Sequence, residues 1–279
     1  MDLNKTDSLP YFLDVFGQNV KNAPDSIMLV DEKHKQRMTR AEADDISGRV
    51  YAWLAAQGIG REDFVLICLP RGAWAVTAMI GVWKAGAALV ILEGDHAGER
   101  LKFIKKDCGC KAVIDLGTWQ EIMNEQPKPG HAQTDMHDAA FAVYTSGSTG
   151  TPKGVLHEYG NIKLNALSVK NPDIKVKNDR VALVAPLYFV ASTKTVLNLL
   201  YGTHTLYILP YSTAKNPVKL KKYYRDNKIT GTFFSPSMIR ALGGDISPYL
   251  KIIHTGSEPA NGISVPGVTL VNNYSMSES

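Results

Sequence analysis

Tyr144-Thr145-Ser146-Gly147-Ser148-Thr149-Gly150-Thr151-Pro152-Lys153-Gly154 is the stretch on which the reading of this chain turns. It follows the apolar run Ala140-Phe141-Ala142-Val143-Tyr144, which reads as a buried strand. Thr145, Ser146, Ser148, Thr149 and Thr151 supply hydroxyls, and Lys153 supplies a cation. Gly147, Gly150 and Gly154 let the backbone turn sharply and expose N–H groups. A loop of this kind can surround phosphate oxygens with donors. It is not the Gly-x4-Gly-Lys-Ser/Thr loop, because Pro152 precedes Lys153 and Gly154 follows it. Its glycine spacing also differs from the dinucleotide fingerprint. A flexible Ser/Gly linker would share the composition, but would not hold Pro-Lys-Gly between two apolar strands.

On both sides of the loop, strand-like and helix-like segments alternate. Thr39-Arg40-Ala41-Glu42 has the spacing of a capping box, and Ile46, Val50, Trp53 and Leu54 follow at helical intervals up to Gly58. Phe64–Leu69, Ala88–Leu92 and Ala112–Ile114 read as strands, with helices over 73–85 and 100–106 between them. Periodicity fails from Glu125 to Asp138, where Pro127, Pro129 and Gly130 mark a loop. After the Ser/Gly loop, strands are expected at 181–185, 205–209, 231–234, 251–254 and 268–271. Helices are expected near 192–201, 215–227 and 236–242. Continuously apolar strands separated by helices predict an α/β fold with parallel sheets covered on both faces.

Composition sets the outer bounds. The chain has 279 residues, 44% hydrophobic and 21% charged, with 31 Lys+Arg against 27 Asp+Glu and a net charge of +4. Such a chain folds rather than staying disordered. The excess charge is too small to point to nucleic acid. The densest basic stretch, Lys215 to Lys228, reads as a solvated helix face. Cys68, Cys108 and Cys110 are too few for a disulfide framework, and Cys108-Gly109-Cys110 has the wrong spacing for a zinc pair. Cys68, inside an apolar run, reads as a buried small hydrophobe. The polar start Met1–Asp7 has no apolar leader core, and no apolar run approaches the roughly 18 residues of a membrane span. A cytoplasmic protein with no membrane partner is expected.

The loop Tyr144–Gly154 resembles the phosphate-loop motif of the adenylate-forming, AMP-binding enzymes: acyl-CoA synthetases, luciferases and the adenylation domains of nonribosomal peptide synthetases. Four further matches occur in the family's order. Trp83-Lys84-Ala85-Gly86-Ala87-Ala88 is similar to its Leu-Lys-Ala-Gly-Ala segment, and Asn161 to an Asn after the loop. Gly256-Ser257-Glu258 is similar to its Gly-Gly-Glu turn, and Asn272-Asn273-Tyr274-Ser275-Met276-Ser277-Glu278 to its Asn-x-Tyr-Gly-Pro-Thr-Glu motif. The Lys-Ala-Gly-Ala segment and the Asn-Asn-Tyr ending resemble the peptide-synthetase adenylation domains more than the acyl-CoA synthetases.

The resemblance implies roles at matching positions. Thr145, Ser146, Gly147, Ser148, Thr149, Gly150 and Lys153 would hold the β- and γ-phosphates of ATP. Gly256, Ser257, Glu258, Asn273 and Ser275 would line the nucleotide, and Tyr274 would lie against adenine. Ser277 stands where the family has a Thr at the α-phosphate. Glu278 would bind Mg²⁺, a hard cation suited to a carboxylate shared with phosphates. Lys153 and Glu278 are thus the implied catalytic residues. Ser257 and Ser275 each replace a family Gly, and Ala142 replaces a larger apolar residue.

Pro186–Ser192 resembles the segment that opens the family's acid pocket. Phe189 matches an aromatic or His that gates the carboxylate. Val190 stands where amino-acid-activating members carry an Asp that pairs with the substrate ammonium. A buried ammonium without a counter-charge is costly, so a carboxylic acid without an α-amine is expected. Val190 reads equally as a core residue at the start of a helix.

The implied reaction joins a small carboxylic acid to ATP as an acyl-adenylate, releasing pyrophosphate. A phosphopantetheine thiol of CoA or a carrier protein then takes the acyl group. No Ser/His/Asp or Cys/His arrangement argues for hydrolysis, and His157, just past the loop, reads as structural. The resemblance further implies two stacked α/β subdomains, 41–170 and 1–40 with 171–279. The second would be incomplete at the C-terminus, and the small C-terminal lid domain would be absent. The alternative is a truncated, non-catalytic nucleotide- or acid-binding module.

Overall fold

The computed structural model describes residues 10–93, 98–146, 152–163 and 179–273. Two β-sheets organise the chain. Helix α1 (Phe12–Asn22) comes first, followed by the hairpin β1 (Ile27–Asp31) and β2 (Gln36–Thr39). Helix α2 (Arg40–Ala56), β3 (Phe64–Ile67), α3 (Ala73–Lys84), β4 (Ala88–Ile91), α4 (Glu99–Asp107), β5 (Ala112–Ile114) and α5 (Leu116–Asn124) follow. The Ser/Gly loop joins β6 (Ala139–Ser146) to β7 (Pro152–Glu158). The remaining elements are β8 (Arg180–Leu183), α6 (Val190–Tyr201), β9 (Thr205–Ile208), α7 (Tyr211–Ala214) and α8 (Pro217–Asp226), then β10 (Gly231–Phe233), α9 (Pro236–Leu242), β11 (Ile252–Thr255) and β12 (Thr269–Asn272).

One sheet has seven strands in the order β12-β11-β10-β8-β9-β1-β2; the other has five, β5-β3-β4-β6-β7. All neighbours are parallel except the two hairpins, β1–β2 and β6–β7. The N-terminal hairpin therefore belongs to the sheet built from residues after 179. The apolar run Ile27–Val30 is the local signal for β1, but it is short, and the charged run Asp31–Lys35 that follows hides its pairing with β2.

The capping box at the start of α2 forms as expected. Thr39 Oγ1 accepts from Glu42 N at 3.2 Å, and Glu42 Oε2 accepts from Thr39 N at 2.7 Å. Helix α3 is buried on all sides except at Trp74. A helix apolar all round must be covered all round. It packs against α2, where Gly81 leaves no room for a Cβ beside Val50. Both helices share one core with β1 and β9 of the first sheet and β3, β4 and β6 of the second. Trp83, fully buried in that core, donates Nε1–H to Ala140 O at 3.1 Å.

One small reading changes and another holds. Cys68 is half-buried in a satellite cluster rather than enclosed, though burial still pushes its thiol up to about 11. The basic stretch lies on α8, which buries Leu220, Tyr223 and Tyr224 and turns Lys219, Lys222 and Arg225 outward. Lys222 and Arg225 pair there with Asp226 and Asp245. Among the described residues, no helix is long and apolar enough to cross a membrane.

Candidate active site

The Ser/Gly loop springs from an antiparallel hairpin whose register is Tyr144↔Gly154, Thr145↔Lys153 and Ser146↔Pro152. Directly opposed residues share a face of the sheet. Thr145 and the exposed Lys153 therefore stand side by side at the loop's base. On the other face, the Tyr144 ring covers Gly154, where an added Cβ would lie 3.0 Å from the ring. The Tyr144 hydroxyl donates to Asp107 Oδ2 on α4 at 2.6 Å. The hairpin base is thus anchored to its sheet, with Ala142 and Tyr144 in the satellite core. Gly147, Ser148, Thr149 and Gly150 lie outside the described residues. His157 is buried and stacked on Phe141 at 4.3 Å, a packing role. Asn161 accepts from Glu158 N at 2.9 Å.

The second group of motif residues converges where β11 and β12 end side by side. Thr255 is in register with Asn272, and Asn273 N donates to Thr255 O at 2.7 Å. Gly256 leaves no space for a Cβ, because the Asn273 carbonyl packs against it. Ser257 sits at φ +67°, a left-handed conformation that favours the glycine found there in the motif it resembles. Glu258 accepts from Ser237 N at 3.1 Å and Ser237 Oγ at 2.9 Å, so its carboxylate is held at the start of α9. Asn273 Nδ2 lies 3.0 Å from His254 Nδ1. Tyr274, Ser275, Ser277 and Glu278 lie outside the described residues. Among those described, no group of three or more His, Cys, Asp and Glu side chains could hold a metal ion.

Residues that the sequence reading left unassigned join the two sheets. Arg71, just beyond β3, donates to Leu183 O at 2.6 Å, Ala185 O at 2.8 Å and Leu209 O at 2.8 Å. It also reaches Glu93, just beyond β4, at 3.4 Å, and both side chains are at most 5% exposed. Tyr211 completes the cluster, with its hydroxyl on Glu93 and its ring beside the Arg71 guanidinium. Burial pushes the Glu93 carboxyl up, while Arg71 draws it down. The carboxyl ends of β3 and β4 in one sheet therefore meet those of β8 and β9 in the other. Ligands of open α/β sheets bind at such carboxyl edges. The Ser/Gly-loop hairpin borders this junction beside β4. The Gly256–Asn273 group borders it two and three strands from β8. A cleft of about 320 Å³ opens beside Arg71, Glu93 and Asp31. A larger cleft, about 870 Å³, lies between α1 and the loop around His131; Lys84 lines it, and the Ser/Gly-loop hairpin and the Gly256–Asn273 group do not.

The other sequence-derived positions divide by role. Lys84 is buried, donating to Asp44 O at 3.0 Å and Asp44 Oδ1 at 2.7 Å, and Gly86 turns at φ +76°. The Lys-Ala-Gly-Ala segment is thus a structural clamp between α2 and α3. Phe189 is 49% exposed and precedes α6 as its N-cap residue. Val190 is half-buried against the main core.

Comparisons with known proteins agree with this geometry. Residues 16–265 match the family model described as AMP-binding enzyme. Surfactin synthase subunit 1 of Bacillus subtilis is 31% identical over 227 residues, covering 75% of this chain and 6% of the synthase. The chain likewise spans 5% of bacitracin synthase 1 of Bacillus licheniformis, at 26% identity over 95% of this chain. Among solved structures, the inhibitor-bound N-terminal domain of FACL13 from Mycobacterium tuberculosis superposes with a TM-score of 0.77. It is 22% identical, with 90% of this chain and 71% of that one covered. The likeness to solved structures concerns the fold.

Proposed function

The chain belongs to the AMP-binding enzyme family, and from that premise we propose that it activates a carboxylic acid with ATP. A substrate carboxylate oxygen bonds to the α-phosphorus, the bond from that phosphorus to the bridging oxygen breaks, and pyrophosphate leaves with the electron pair. In the second step a phosphopantetheine thiol, on CoA or a carrier protein, attacks the acyl carbon and AMP leaves. This reading extends to both steps what the family supports as acid adenylation in general.

The first step needs neutralisation of phosphate charge more than proton transfer. Lys153 and Thr145, paired at the base of the Ser/Gly loop, are placed to supply a cation and a hydroxyl to phosphate oxygens. That pairing is the observation that carries the proposal. The tight seat of Asn273 on Gly256 fixes the backbone leading into Tyr274, the residue assigned to adenine. Glu278 is the residue assigned to Mg²⁺, which when bound neutralises phosphate charge. An exposed cation at the loop and a glycine-tight backbone at the β11–β12 edge support the nucleotide reading.

The test is acid-dependent exchange of pyrophosphate into ATP, together with ATP binding, for the wild type and Lys153→Ala. Exchange in the wild type, and about ten-fold weaker ATP binding in a normally folded variant, is the expected result. ATP binding without exchange for any acid would identify a nucleotide-binding module instead. Unchanged ATP affinity in the variant would remove Lys153 from the phosphate site.

A further inference from the structure

Helix α4 ends beside the Ser/Gly-loop hairpin, at Asp107-Cys108-Gly109-Cys110. Asp107 accepts from the Tyr144 hydroxyl at 2.6 Å, and the Cys108 side chain is a second neighbour of that hydroxyl. The Tyr144 ring covers Gly154, the residue after Lys153. A shift at the end of α4 is thus passed to the base of the loop.

Cys108 ends α4 in a helical conformation, with its N–H on Ile104 O at 3.0 Å. Gly109 then turns at φ +59°. A Cβ added to it would meet nothing, so the glycine serves the turn rather than close packing. The turn brings the Cys110 N–H back to Lys105 O at 3.4 Å. Cys108 and Cys110 lie half-buried against one small apolar cluster, and their thiols interact directly. Two α-carbons with one residue between them in a tight turn are about 5–7 Å apart, which overlaps the roughly 4.4–6.8 Å that a disulfide spans. Cys68 packs against the same cluster.

The two thiols differ in surroundings. Burial raises both above the usual thiol range, Cys108 to about 11. At Cys110 the Lys105 ammonium and the Cys108 thiol oppose that rise, because both favour a thiolate there. Cys110 is therefore the attacking thiol and Cys108 the resolving one. Burial resists a thiolate but not a disulfide, which carries no charge.

We propose that Cys108 and Cys110 form a reversible disulfide that loosens the hold of α4 on the Ser/Gly loop and so makes nucleotide binding redox-sensitive. The oxidant is a small-molecule disulfide, RSSR. The Cys110 thiolate attacks one of its sulfurs, the RS–SR bond breaks, and RS⁻ leaves with the electron pair and takes up the proton that Cys110 lost. Cys108, deprotonated in turn, attacks the Cys110 sulfur of the mixed disulfide, and a second RS⁻ leaves and is protonated. The protein loses two electrons, and one RSSR becomes two RSH. Closing the bond draws Cys108 off Tyr144 and turns the adjoining Asp107. A ring closed over a single residue is strained, so excess thiol reopens it. The nucleotide half of the inference rests on the adenylation reading; the disulfide does not.

The experiment equilibrates the 279-residue chain in buffers of oxidised and reduced glutathione. Peptide mass mapping locates the disulfide, hydrogen exchange reads the β6 and β7 backbone, and calorimetry reads ATP affinity. The expected result is a Cys108–Cys110 disulfide reversed by dithiothreitol, faster exchange in the hairpin, and ATP binding about five- to ten-fold weaker. Cys108→Ser combined with Cys110→Ser should bind ATP equally in both buffers. A pair that stays reduced, that takes up glutathione without closing, or that links to Cys68 overturns the proposal. So does a Cys108–Cys110 disulfide that leaves hairpin exchange or ATP affinity unchanged. ATP affinity that still falls under oxidant in the double variant would place the sensitivity elsewhere, against the proposal. ATP binding by neither form, with exchange still faster on oxidation, would remove the adenylation reading and the nucleotide half with it, while the disulfide and its effect on the hairpin stand.

Discussion

The side-chain amide of Asn273 lies 3.0 Å from Nδ1 of His254, across the ends of two parallel strands. Burial holds His254 below the usual histidine range, so its ring is neutral at pH 7 and can accept from the amide. His254 thereby orients the residue that leads into the assigned adenine contact. His254→Phe, which keeps the ring but removes the acceptor, should weaken ATP binding about three- to ten-fold with little change in fold. Titration calorimetry checks the affinity, and circular dichroism the fold.

Ser257 occupies a left-handed conformation in which its Cβ is strained. Glycine relieves that strain at the cost of some unfolded-state entropy. Ser257→Gly should raise stability by about 0.5–1 kcal/mol. A denaturant midpoint that falls instead would mean that the serine hydroxyl, bonded to the Gly256 carbonyl, outweighs the strain.

Arg71 carries the contact between the sheets. Arg71→Met leaves the Glu93 carboxyl buried without its cation and strips donors from three backbone carbonyls. The expected loss is about 3–5 kcal/mol in urea unfolding. Adding Glu93→Gln should recover part of it, because the unpaired charge is then gone.

His204 makes stability depend on pH. Burial, with Arg40 adding repulsion, lowers its pKa from 6.5 to about 4. Between those values the unfolded chain binds a proton that the native chain refuses. This contribution is complete above the unfolded pKa and is lost as pH falls towards about 4. The loss from neutrality to about pH 4.5 should reach about 2–3 kcal/mol. His254, also depressed by burial, acts in the same direction. His204→Gln should flatten this acid limb in melts recorded across that window.

The strand leading into the Ser/Gly loop, the capping box at Thr39 and Glu42, and the alternation of strands and helices were legible in the sequence. Each depends on residues a few positions apart, whose turn chemistry and periodicity are local. The two matches Gly256–Glu258 and Asn272–Glu278 were legible as text, but their contact was not. Only the pairing of β11 with β12 packs Asn273 onto Gly256 and aims its amide at His254. The β1–β2 hairpin escaped detection because its strands are short and separated by a charged turn, and β1 gains its second partner, β9, about 175 residues later.

By itself, then, the sequence determined the α/β class and the family to which the chain belongs. The tertiary structure decided where the two sheets meet. Arg71 stands 22 residues from Glu93 and 138 from Leu209, and no local pattern announces such partners. Hydrophobic periodicity states which face of an element is buried, not against what. Long-range hydrogen bonds and unpaired charges exist only once the chain has closed those distances.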